Sequence, residues 1–257
     1  MLAELMDSNW FPLIYLLVLI CMVIVGIALS RKLRVAESED WKSKSLLTAI
    51  ISFFSLVLAF TLSSSSNSNK ARISILQQHR GAIANLYRQS FLFDDSLHHS
   101  VKEYAIKAIE IKLSAVSLNS AQSTRELYRK SELFNNTYLR SMSEVVRTSS
   151  QSHTGARSIT DEMSKIIDLD AQVHYNNQER TPTVVMLLLL IGSWTIGFLM
   201  GASGVLFRKR YYLGPIIFTT LTSFTVLIIQ DMDNPHQGLV RPPYNIYQDL
   251  LDEIKAE

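Results

Sequence analysis

The sequence predicts an all-α membrane protein: four transmembrane helices in two pairs, with a helical extramembrane insert between helices 2 and 3. Four apolar runs contain no Asp, Glu, Lys or Arg, and they cover residues 11–29, 46–62, 183–207 and 215–230. Each is close to the roughly 17–25 residues that a helix needs to cross the hydrocarbon core. The segment between the pairs, residues 63–180, contains no proline. Its apolar residues recur at helical spacing, without the alternation of strands.

The first pair occupies residues 1–62. The first run is not a cleaved signal peptide, because no Lys or Arg precedes it and no small-x-small cleavage pattern follows it. Trp10 lies just before it, where aromatic side chains favour the membrane interface. Cys21 is the single cysteine. An intrachain disulfide and a cysteine-rich zinc site are therefore excluded.

The insert, residues 63–180, is predicted to contain four helical segments. The second run continues past its serines into an apolar stripe, which indicates one long helix that leaves the membrane. A second helix can be capped by residues 94–96, and Ser123 with Glu126 has capping-box spacing for a third. Thr160 can cap a fourth. A helical hairpin or an antiparallel bundle follows from these stripes.

The second pair occupies residues 181–230, and Thr181-Pro182 has the pattern of an N-cap followed by the first helical residue. The third run carries one face of small residues, which are Ser193, Gly197, Gly201 and Gly204. Such a face lets helix backbones approach closely in a bilayer. Whether this contact lies within a subunit or between subunits is open at this stage.

An acidic C-terminal tail, residues 231–257, follows the fourth run and opens with a turn motif of Asp231, Asp233, Pro235 and Gly238. Asp-x-Asp is similar to the start of a calcium loop. However, Pro235 occupies the third ligand position and His236 the position of the invariant glycine, so this is not an EF-hand. We interpret the motif as a turn that ends the helix, with cation binding as the alternative.

The charges of the two short connections predict the topology. Arg31, Lys32 and Arg34 begin the connection between the first and second runs. Residues 208–210 give the connection between the third and fourth runs three bases and no acid. Short basic loops stay in the cytoplasm, whereas long loops cross largely regardless of charge. Both termini and residues 63–180 are therefore predicted to be extracytoplasmic, in a bacterial inner membrane.

Several chemistries are excluded by what the sequence lacks. It contains no P-loop, nucleophile elbow or dinucleotide fingerprint, so we predict that it is not an enzyme and has no cofactor or metal site. Acids and bases are nearly balanced in the insert, which excludes a nucleic-acid partner. The histidines of the insert, including His79, are interpreted as exposed or partner-facing polar residues.

One face of the second transmembrane helix changes from apolar to hydroxyl-bearing towards the outside. Its residues keep a 3.6-residue period and are Ile50, Phe54, Val57, Thr61, Ser65 and Ser68. A pore whose hydrophobic constriction opens into a hydrated vestibule has this pattern. A helix that emerges from lipid into the headgroups has it too, so both interpretations stay open on periodicity alone.

The order of these features resembles the bestrophin-like domain family. The resemblance is carried by residues 58–63 at the end of the second helix, the helical insert, Pro182, residues 231–235 and residues 238–240. It implies similarity to bestrophins, which are pentameric anion channels with a pore lined by the second transmembrane helix and a calcium site after the fourth.

Two classes of function follow. The first is a homo-oligomeric, bestrophin-like ion channel with its pore lined by transmembrane helix 2, for which the resemblance implies a pentamer. The alternative is a non-conducting membrane sensor or scaffold, whose extracytoplasmic bundle binds a ligand or a partner protein. The bilayer itself is the other partner that both classes require.

Overall fold

A computed structural model describes residues 10–33, 40–114, 121–148, 153–206, 213–234 and 243–256. Within them the chain is helical, which confirms the predicted fold class. The helices are α1 (Phe11–Leu33), α2 (Asp40–Ser90), α3 (Asp95–Ser114), α4 (Ala121–Thr148), α5 (His153–Gln178), α6 (Thr183–Leu206), α7 (Leu213–Asp233) and α8 (Asn245–Ala256). Four stretches are long and apolar enough to cross a membrane, and they overlap the four predicted runs. The protein is therefore a multi-pass membrane protein.

The chain divides into two compact units. The membrane unit comprises residues 1–67 and 180–234, and the insert unit comprises residues 68–179 and 235–257. The segment predicted as one acidic tail is thus divided, since its first four residues belong to the membrane unit and the rest to the insert unit. The tail contains α8, whose apolar residues are buried despite the surrounding acids.

Helix α2 is one continuous helix of 51 residues, as the sequence predicted. The serine-rich stretch at residues 63–66 does not end the helix. It contains neither proline nor glycine, and serine hydroxyls alone do not break a helix. Other helix starts differ from the prediction. Helix α5 begins at His153, and the Thr160 hydroxyl donates to the carbonyl of Arg157 at 2.9 Å, so Thr160 lies inside the helix instead of capping it.

In the membrane unit, α1 and α6 are in close contact through glycines. A Cβ atom on Gly26 would overlap the backbone carbonyl of Phe198, and one on Gly201 would overlap that of Val23. One on Gly197 would lie 3.0 Å from a methyl group of Leu19. Residues later in α1 contact residues later in α6, so the two helices run parallel. Gly197 and Gly201 of the small-residue face therefore pack against α1 of the same subunit.

The other two residues of the small-residue face, Ser193 and Gly204, also lie in α6. Ser193 is fully buried, and its hydroxyl donates to the carbonyl of Leu190 at 2.8 Å. This bond gives the hydroxyl a partner in the apolar interior, where an unpaired hydroxyl would be costly. Gly204 lies in the last turn of α6.

The insert unit has its own hydrophobic core, formed by α2, α3, α5 and α8 with support from α4. Helix α8 contributes Tyr247, Leu250, Leu251 and Ile254, all buried. Two polar contacts attach it to α2. His79 Nδ1 lies 2.9 Å from the hydroxyl of Tyr247, and Arg80 Nε donates to the carbonyl of Ile246 at 2.9 Å.

His79 is buried, which corrects the expectation that the insert histidines are exposed. Burial, followed by repulsion from Lys112, lowers the pKa of His79 well below its usual value. The ring is therefore neutral at physiological pH. Only one of its nitrogens has a hydrogen-bond partner among the described residues.

A buried ion pair joins α3 to α5 inside the same unit. Lys112 Nζ bonds to Asp170 Oδ1, while Ser131 Oγ and Asn135 Nδ2 donate to Asp170 Oδ2. The Tyr104 hydroxyl donates in turn to Asn135 Oδ1 at 2.9 Å. Burial lowers the pKa of Lys112 to about 7, and the carboxylate opposite favours the charged form of the lysine.

Candidate pore helix and its polar clamp

The face of α2 that the sequence favoured as pore-lining is largely buried within the subunit. Phe54 is 6% exposed, Thr61 1% and Ser65 2%. The Phe54 ring lies against Gly192 of α6, and its centroid is 6.3 Å from that of Phe218 of α7. Phe54 thus belongs to an apolar cluster of the membrane unit.

Two hydroxyl groups on this face have partners within the subunit. Thr61 Oγ1 donates to the carbonyl of Val57 at 2.8 Å, and Ser65 Oγ donates to Asp233 at 2.9 Å. Thr61 and Ser65 therefore take part in packing within the subunit.

The other three residues of the predicted set are partly buried. Ile50 and Val57 pack against the same cluster as Phe54. Ser68 is also of intermediate exposure and lies in the insert unit. The structure thus turns most of this face towards the other helices of its own chain.

A different stripe of α2 is exposed in the membrane unit. Phe53 is 63% exposed, Leu56 68% and Phe60 74%. The next residues on this side, Ser63 and Asn67, are exposed as well. We call these five residues, together with Ser64, the exposed stripe. It lies about a third of a turn from the buried face, because each residue advances a helix by about 100°.

The exposed stripe has the same change of character that the sequence analysis noticed on the buried face. Large apolar side chains come first, and hydroxyl and amide groups follow. Residues 45–69 contain no Asp, Glu, Lys or Arg. The outward surface of α2 is therefore uncharged along the whole membrane-crossing part.

Asp233 forms a polar clamp at one end of the membrane unit. Its Oδ1 accepts a hydrogen bond from Ser65 Oγ at 2.9 Å, and its Oδ2 accepts one from the backbone N–H of Thr181 at 3.1 Å. The hydroxyls of Ser65 and Thr181 are 3.2 Å apart. One carboxylate therefore links α2, the residues before α6 and the end of α7.

The clamp gives Asp233, one residue of the predicted turn motif, a structural role. Asp231 lies in the last turn of α7, and Asn234 N–H bonds to its carbonyl at 3.3 Å. Pro235 and Gly238 lie outside the described residues. No group of three or more His, Cys, Asp or Glu side chains that could hold a metal occurs in the described part of the chain.

We expect Asp233→Asn to lower the thermal stability of the purified protein, with or without calcium. The amide offers only one acceptor oxygen where two donors converge, and loss of bonds to a charged acceptor costs about 1.5–3 kcal/mol. Asp249→Asn, at an exposed position of α8, is the control and should change little. Stabilisation by calcium that Asp233→Asn removes would instead indicate a cation site.

Comparisons with known proteins agree with this architecture. Residues 13–241 match the family model of the bestrophin-like domain. The chain belongs to the bestrophin-like domain family. No curated protein matched the chain.

Solved structures show the bestrophin-like fold over nearly the whole chain. Crystal structures of three variants of a bacterial bestrophin homologue from Klebsiella pneumoniae are similar to it, with TM-scores of 0.68, 0.66 and 0.61. Sequence identities are 13%, 13% and 14%. The matches cover 96%, 96% and 95% of this chain, and 99%, 99% and 97% of the homologue.

Proposed function

We propose that this bestrophin-like protein is a homo-oligomeric ion channel in which α2 of every subunit lines the ion path. Membership of the family supports this function, since bestrophins are channels that assemble from identical subunits. The observation that carries it here is the exposed stripe, an uncharged face whose polarity changes once along the helix. Five subunits are the expected number by similarity to bestrophins.

Leu56 and Phe60 form the narrow part of the proposed path. They are the two most exposed apolar residues of the stripe, and they directly precede Ser63. A ring of such side chains resists wetting and limits conduction by its bulk. The exposed Ser63, Ser64 and Asn67 then supply hydroxyl and amide groups that can hydrate ions.

The proposed lining differs from the set Ile50, Phe54, Val57, Thr61, Ser65 and Ser68. Those side chains are engaged with α6, α7 or their own backbone, whereas a side chain that lines a path between subunits must point away from its own subunit. Because the stripe carries no charge, strong charge selection at the constriction is not expected. Ion preference then depends on residues elsewhere along the path.

We expect Leu56→Ala or Phe60→Ala to raise ion flux severalfold in reconstituted vesicles or planar bilayers. Removal of a bulky apolar side chain widens the constriction and eases its wetting. Val57→Ala is the control, since it trims a partly buried side chain one position from Leu56. It should lower thermal stability and leave flux nearly unchanged.

Three outcomes would contradict the proposal. A rise in flux with Val57→Ala alone would indicate that the buried face of α2 lines the ion path. A monomer in native mass spectrometry or particle imaging would exclude a path between subunits. Purified oligomers that pass no ions, even with either stripe variant, would favour the non-conducting sensor or scaffold.

The proposed orientation keeps both termini and residues 63–180 extracytoplasmic, in a bacterial inner membrane. It is supported by the bases at residues 31–34 and 208–210, which lie in the two short connections. The parallel packing of α1 and α6 agrees with it, because two helices that cross in the same direction must run parallel. Catalysis is not part of the proposal.

A further inference from the structure

A groove between α1 and α7 in the membrane unit is not used by the proposed channel. Its cavity volume is about 660 Å³. This volume lies within the roughly 300–1,000 Å³ that is typical of ligand sites. Leu16, Ile20 and Ile27 lie on one wall, and Pro215, Ile216 and Leu227 lie on the other.

The two walls run in opposite directions. Tyr15, near the start of α1, shares an apolar cluster with Val226, near the end of α7. Ile27, near the end of α1, lines the same groove as Pro215, near the start of α7. The groove therefore runs along α1 from Leu16 to Ile27 and along α7 from Leu227 back to Pro215, towards the end where α1 finishes and α7 begins.

The length of the groove matches one leaflet of a bilayer. Eleven residues separate Leu16 from Ile27, which corresponds to about 17 Å at 1.5 Å per residue. The hydrocarbon core is about 30 Å thick, so the groove spans about half of it. Its walls carry no charged side chain. Three hydroxyl-bearing residues interrupt the apolar surface.

Two basic residues follow the groove at the end of α1. Arg31 and Lys32 are exposed in the last turn of α1, one turn beyond Ile27. In the sequence, residues 30–45 carry five bases and three acids, so the segment around the end of α1 is net positive.

We propose that this groove binds one acyl chain of an anionic phospholipid, whose phosphate lies against the basic end. The apolar walls fit the chain, and the adjacent bases complement the negative headgroup, as in other basic sites at the membrane surface. Phosphatidylglycerol has the required chemistry. The site lies on a different helix pair from the exposed stripe of α2 and does not depend on ion conduction.

Lipid titration of the unmodified protein tests the preference directly. In mild detergent, phosphatidylglycerol should raise the melting temperature more than phosphatidylcholine with identical acyl chains, and native mass spectrometry should show it retained. Glycerol 3-phosphate, which has the headgroup charge but no acyl chain, should have no effect. Equal stabilisation by the two lipids, or full stabilisation by glycerol 3-phosphate, would overturn the proposal.

Substitutions test the location. Ile20→Trp fills the groove from α1 and should weaken retention of phosphatidylglycerol at least severalfold. Leu17→Trp makes the same kind of change at an exposed position of α1 outside the groove, and should not. Replacing Arg31 and Lys32 by Gln should reduce the preference for the anionic lipid while leaving phosphatidylcholine binding unchanged.

The neighbouring subunit is the competing occupant of the groove. If a helix of another copy filled it, Ile20→Trp would dissociate the oligomer and leave the retention of phosphatidylglycerol unchanged. That result would overturn the lipid site. If Ile20→Trp does not fold, Ile24→Trp offers a second groove position, with a side chain that is 56% exposed.

Discussion

Gly201→Leu should abolish recovery of folded protein from detergent-solubilised membranes. A Cβ atom at this position already overlaps the backbone carbonyl of Val23, and a backbone atom cannot move aside as a flexible side chain can. Overpacking of a core costs about 1–3 kcal/mol when side chains can adjust. Here α1 and α6 must separate, and close packing is what holds helices together in lipid.

The monodisperse peak in size-exclusion chromatography of solubilised membranes is the measurement. Gly214→Leu is the matched control, because a Cβ atom on Gly214 meets open space in the same unit. Leu199→Ile, in α6, should also be mild. Equal recovery of the Gly201 and Gly214 variants would show that the α1–α6 contact does not require a glycine.

Asp170→Asn should destabilise the insert unit by about 3–5 kcal/mol, the usual cost of leaving a buried charge without its partner. The substitution preserves shape but removes the negative charge that is bonded to Lys112. Chemical denaturation, monitored by circular dichroism, measures the loss. Asp168→Asn, two residues away on the exposed side of α5, is the control and should change stability by less than about 0.5 kcal/mol.

The pH dependence identifies the cause. Burial already lowers the pKa of Lys112 to about 7 in the folded protein, against 10.5 for an exposed lysine, and loss of the carboxylate lowers it further. Between these values the unfolded chain binds more protons, so the stability of the unmodified protein and of Asp170→Asn should both rise with pH from about 7 to 10. Below about pH 7, Asp170→Asn should go on losing stability relative to the unmodified protein as the pH falls, and a second change, Lys112→Met, should remove this loss. Equal profiles below about pH 7 would mean that the carboxylate does not stabilise the charged lysine.

Much of the architecture could be predicted from the sequence, because a long apolar run without charged residues identifies a membrane helix. The start of α3 was also predictable, since acidic capping residues directly precede its apolar stripe. Helix α8 was missed for the opposite reason. Its acids dominate the composition of the tail, although Tyr247, Leu250 and Ile254 follow helical spacing and are buried.

The orientation of α2 could not be predicted from its pattern. In water, an apolar face indicates the core, but in a bilayer both the packed face and the lipid-facing or path-facing face are apolar. Phe54 and Phe53 are adjacent, equally hydrophobic residues, yet one is buried and the other is 63% exposed. Gly26 and Asp233 had signals, a small residue in α1 and a carboxylate at a membrane boundary, but their partners lie far away in sequence.

The attachment of α8 also determines when the insert unit can be completed during synthesis. Tyr247 bonds to His79, 168 residues earlier, and its neighbours fill the core between α2 and α3. These residues are synthesised after all four apolar runs. The core of the insert unit therefore stays open until α8 has been made. A chain that stops before α8 exposes an apolar surface to the quality-control proteases.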